Sequence, residues 1–81
     1  GALNPFLHLS LHLAIEEQLS IDQPPGIRTA FEQLRTKTGA EHDAKHALLD
    51  CLAEMIWQAQ RANTAPDQAL YLECLEQKLR L

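Results

Sequence analysis

Phe6-Leu7-His8-Leu9-Ser10-Leu11-His12-Leu13-Ala14-Ile15-Glu16-Glu17-Gln18-Leu19 can be read with two periods, and the choice between them decides the fold. Leu7, Leu9, Leu11, Leu13 and Ile15 alternate with His8, Ser10 and His12, the period of two expected of a half-buried strand. Against that, the 14 residues contain no turn signal, which is long for a strand. The stretch also closes on Ala14-Ile15-Glu16-Glu17-Gln18-Leu19, mostly strong helix formers. Asn4-Pro5 just ahead is a helix start, since Asn caps and Pro tolerates the first helical position. The segment is therefore read as helix. Its polar minimum is narrow (Ser10, Glu17, Gln18), so it should be covered on most sides, with His8 and His12 beside Leu11, Ile15 and Leu19.

Working outward, punctuation divides the chain into four helices. Asp22 and Pro24-Pro25-Gly26 mark a loop and a second start, and Ile27, Ala30, Phe31 and Leu34 form the apolar face of the next helix. Thr38-Gly39-Ala40-Glu41 has capping-box spacing and predicts a third helix from Gly39. Its stripe is Ala44, Leu48, Leu52, Met55 and Ala59, widened by Leu49, Cys51 and Ile56. Asn63-Thr64-Ala65-Pro66-Asp67 is the last break, with Thr and Asp again at capping spacing. The fourth helix then packs Leu70 or Tyr71 with Cys74, Leu75 and Leu79. The expectation is an all-α fold of two helical hairpins in a bundle-like single domain over 1–81, with helices near 5–19, 25–37, 39–62 and 66–80.

The first helix of each hairpin opens with the same motif. His8-x3-His12-x3-Glu16 and His42-x3-His46-x3-Asp50 together use all four histidines of the chain. Spacing of four stacks residues on one helix face. Alternating helix directions make the first and third helices parallel, and His8 and His42 each stand fourth in their helix, so the two motifs meet at one level. Neutral imidazole suits zinc, copper, iron and nickel, while carboxylates extend a site toward iron or manganese. Metal ligands are thus expected at His8, His12, His42 and His46, with Glu16 and Asp50 as auxiliaries. Eight helical residues span about 12 Å, so one ion cannot reach a whole motif. The alternative is a protein-interaction or assembly module whose histidines pack and bind no metal.

Neither His-Glu-x-x-His nor Glu-x-x-His occurs, so no established catalytic signature is present. The reading favours a non-enzymatic domain with no organic cofactor. Net charge is −4 and the seven Lys and Arg are scattered, which argues against duplex nucleic acid as a partner. No apolar run approaches a membrane span. Cys51 and Cys74 lie in helical patterns without close spacing and are expected as buried free thiols of a cytoplasmic protein. Trp57 and Tyr71 are expected to pack with their polar tips at the surface.

The run from Asn4 through His12, continuing in Ala14-Ile15-Glu16-Glu17-Gln18 and Pro24-Pro25-Gly26-Ile27-Arg28, resembles a bacterial family of uncharacterised proteins known as domain of unknown function 1841. His42, His46, Cys51-Leu52-Ala53-Glu54, Trp57, Ala59-Gln60 and Tyr71-Leu72 are similar to a second signature of that family. The resemblance implies a bacterial, cytoplasmic setting and no activity. It also implies that Gly1-Ala2 marks a chain shortened at its N-terminus. A helix one left partly uncovered in this way would expose apolar surface, and a homodimer burying it is the expected partner.

Overall fold

Arg28 joins the ends of the first two helices. Its backbone N–H donates to Asp22 Oδ1 at 3.0 Å, its Nε–H donates to the Leu19 carbonyl at 2.7 Å, and its guanidinium also donates to the Ser20 carbonyl. One residue thus answers orphan carbonyls at the end of one helix, while Asp22 answers an orphan amide at the start of the next. The computed structural model describes residues 5–80, with side chains from His8 to Arg80. Its helices are α1 (Pro5–Ile21), α2 (Ile27–Thr38), α3 (Glu41–Ala62) and α4 (Gln68–Arg80), and no strand occurs among the described residues. Pro5 opens α1 as expected; the Asn4 cap lies outside the described residues.

Three starts fall two residues later than the sequence reading has them, the first being α2 at Ile27 rather than 25. The Thr38–Glu41 capping box does not form. Gly39 takes a left-handed conformation (φ 79°) and its N–H donates to the Arg35 carbonyl, closing α2. Thr38 is thereby retained as the last residue of α2, where its hydroxyl donates to the Leu34 carbonyl at 2.9 Å. α3 then starts at Glu41, after an extended Ala40. At the last break the Asp67 carboxylate is itself the cap, accepting from the Ala69 N–H at 2.9 Å, so α4 starts at Gln68 rather than 66.

The helices alternate in direction. His8 and His12, in the first half of α1, face His46 early in α3 at 6.1 and 5.4 Å between ring centroids, and Tyr71 early in α4 reaches Gln18 late in α1. Lys37 Nζ donates to the Leu79 carbonyl, placing the ends of α2 and α4 together. So α1 runs with α3, and α2 with α4. The core is the expected α3 stripe (Ala44, Leu48, Leu49, Cys51, Leu52, Met55) filled by Leu11, Ile15, Ile27, Phe31, Leu34, Tyr71 and Leu75. Each such buried aliphatic contributes about 1.5–3 kcal/mol. No polar or charged residue is buried among the described ones.

Three expectations are corrected. Cys51 and Cys74 are not free thiols but a disulfide between α3 and α4, with Cα atoms 5.7 Å apart. Antiparallel packing of α3 and α4 brings the two residues opposite each other, which their spacing in sequence does not reveal. Tyr71 does not keep its tip at the surface: it is fully buried, and Leu70 takes the exposed place. Nor is α1 covered on most sides, because it lies at one edge, chiefly against α3. Leu9 and Leu13 are consequently 58% and 62% exposed.

Candidate histidine cluster

The cluster follows from helical register. His8 and His12 occupy successive turns of α1, His42 and His46 successive turns of α3, and the parallel packing brings His46 opposite His8 and His12; His42 is second in α3 rather than fourth, because the helix starts at Glu41. The His8 and His12 rings are 4.6 Å apart edge to face, and their Nε2 atoms are 3.0 Å apart, so one nitrogen carries a proton and donates to the other. His46 faces both, at 5.4 Å from His12 and 6.1 Å from His8 between ring centroids. His42 joins through His46 at 4.3 Å. His8, His12 and His46 are half-buried and His42 is exposed, so the cluster lies at the rim of the α1–α3 seam rather than on the bundle axis.

The ring centroids of the four neighbouring pairs lie 4.3–6.1 Å apart. Imidazoles on one tetrahedral ion, with metal–nitrogen bonds of about 2.0–2.1 Å, hold their centroids about 5 Å apart. As they stand, however, no group of three or more His, Cys, Asp or Glu among the described residues is gathered into a coordination shell. The Nε2 atoms of His8 and His12 converge; His46 would have to turn its ring to join them.

The two carboxylates of the motifs are engaged elsewhere. Glu16 Oε1 is 2.5 Å from Lys45 Nζ, which also lies 3.3 Å from Glu41 Oε1. Asp50 is 3.9 Å from Lys78 of α4. The structure therefore assembles the four histidines and leaves both auxiliary acids on lysines. Lys45 is the residue that sequence reasoning passed over. It lies inside the second motif, and its spacing of four from Glu41 was the available signal.

Electrostatics favour the neutral form of His12. Partial burial, and then the neighbouring imidazoles of His8, His46 and His42, hold His12 below its ordinary value; Glu16 opposes this weakly. A neutral imidazole is the form that coordinates a metal. Lys45 is pushed up, first by its hydrogen bond to Glu16, and so remains an ammonium. Far from the cluster, Trp57 is 44% exposed with the Arg61 guanidinium 4.7 Å above its ring.

The chain belongs to the family described as "Domain of unknown function (DUF1841)", whose model matches residues 1–77. No curated protein and no solved structure matches it. Among the described residues, no helix is long and apolar enough to cross a membrane.

Proposed function

We propose that this member of the family binds a divalent transition metal through His8, His12 and His46, with His42 as the outer fourth ligand. The observation that carries the reading is the 3.0 Å approach of the His8 and His12 Nε2 atoms beside a third imidazole on a parallel helix. A metal there replaces the proton shared by two nitrogens and cross-links α1 to α3. That seam also carries the Lys45–Glu16 ion pair, whose acid is largely exposed and therefore contributes little. Zinc, nickel, iron and manganese are the ions to be tested. The domain acts without chemistry of its own, and a second copy covering Leu9 and Leu13 is its partner.

Metal analysis of protein purified without a polyhistidine tag tests the reading. Near-stoichiometric metal, and a melting temperature that falls on chelation and recovers on reloading, are expected. Sub-stoichiometric zinc, iron, nickel and manganese in every preparation, with no thermal response to chelator, would sink it. A packing role is the second reading, favoured by the same His8–His12 hydrogen bond, through which the rings satisfy each other. In that case His46→Ala loses stability equally with and without chelator. Sedimentation as a monomer at about 50 μM would remove the second copy; a dimer there is within the range of ordinary protein affinities.

A further inference from the structure

Lys45, the residue before His46, is ion-paired with the carboxylate that follows His12 on α1. Glu16 follows His12 by one turn of α1, on the same face, so a side-chain rotation separates it from the imidazoles. Lys45 directly precedes His46 on α3, is three-quarters buried, and holds Glu16 at 2.5 Å while Glu41 braces it at 3.3 Å. Asp50, the acid at the matching position of the second motif, is drawn toward Lys78 on α4. At the His-x3-His-x3-acid positions themselves, the donors left over are the imidazoles.

Resting on the metal reading above, we infer that Lys45 sets the metal preference of the cluster: by holding Glu16 away, it leaves an all-imidazole site that takes nickel, copper or zinc and rejects manganese. Hard ions such as Mn²⁺ need carboxylate oxygen, whereas imidazole suffices for the later first-row ions, whose intrinsic affinities for nitrogen are also higher. The Lys45–Glu16 contact is then more than an interhelical ion pair. It decides the chemistry of a site that neither residue occupies. Removing the ammonium leaves Glu16 with no cation among its described partners and lets it turn toward His12.

The test is competitive titration of the whole chain with NiCl2 and MnCl2, following bound Mn²⁺ by its paramagnetic resonance. The wild type should favour Ni²⁺ by at least about 100-fold. Lys45→Met should raise Mn²⁺ affinity about tenfold while Ni²⁺ affinity moves by less than about threefold, since only the hard ion gains a needed oxygen. Adding Glu16→Gln to Lys45→Met should restore the wild-type ratio. Glu16→Gln alone keeps Lys45 in place and should leave the ratio unchanged, which provides a readout if Lys45→Met does not fold. Histidine-dependent Ni²⁺ binding with a ratio indifferent to Lys45→Met overturns this inference and leaves the metal reading standing. So does a Glu16→Gln variant that loses Ni²⁺ affinity about tenfold, because Glu16 would already be a ligand. Failure of the wild type to take up either ion overturns the reading and the inference together.

Discussion

The Tyr71 hydroxyl donates to Gln18 Oε1 at 2.8 Å and ties α4 to α1, two helices that otherwise meet through α2 and α3, each of which packs against both. Tyr71→Phe keeps the ring and removes the donor, leaving a half-buried amide oxygen without this partner. The expected loss is about 0.5–1.5 kcal/mol in urea unfolding, with an unchanged m-value. A neutral substitution would mean that water serves Gln18 equally well.

The same residue gives a pH prediction free of overlap, because the chain has one tyrosine. Burial pushes the Tyr71 phenol well above its ordinary value. A group whose folded pKa exceeds its unfolded pKa supports the fold fully below the unfolded value, about 10, and loses that support as pH rises beyond it. Tyrosinate absorbance should therefore lag a model phenol and appear together with loss of helical circular dichroism. A midpoint at about pH 10 with the helices intact would contradict the burial.

Cys51 and Cys74 should resist alkylation in native, unreduced protein, since they are joined to each other. Replacing both by Ala should cost about 2–4 kcal/mol, the usual range for a native disulfide. Stoichiometric labelling of two thiols without reductant would restore the free-thiol expectation.

Leu48 and Leu13 are both helical leucines and should behave oppositely. Leu48 is fully buried at the centre of α3, so Leu48→Ala should cost about 2–5 kcal/mol. Leu13 is 62% exposed, so Leu13→Ala in the monomer should stay within about 0.5 kcal/mol. Comparable losses at both positions would show that Leu13 is covered in solution and would support a second copy.

Legibility differs between the core and the cluster. The α3 face was readable residue by residue, because a 3.6-residue period leaves Ala44, Leu48, Leu52 and Met55 on one side whatever packs there. The buried faces of α2 and α4 followed in the same way. The Thr38 capping box was misread because Gly39 offers a competing local solution, a left-handed close to α2, and only one can form. Tyr71 was misread because a buried phenol needs a partner, and Gln18 is 53 residues away.

The local code alone determined four amphipathic helices, their alternating course, and the parallel run of α1 and α3 that lets the histidine motifs meet. Those follow from period, punctuation and short connections, which act within a few residues. Tertiary packing decided the rest. It placed α1 at an edge, so that Leu9 and Leu13 face outward and the histidines lie at a rim. It paired Cys51 with Cys74, and it gave Glu16 to Lys45 and Asp50 to Lys78. Charge pairs and disulfides depend on which faces of different helices meet, and no periodicity within one helix carries that information.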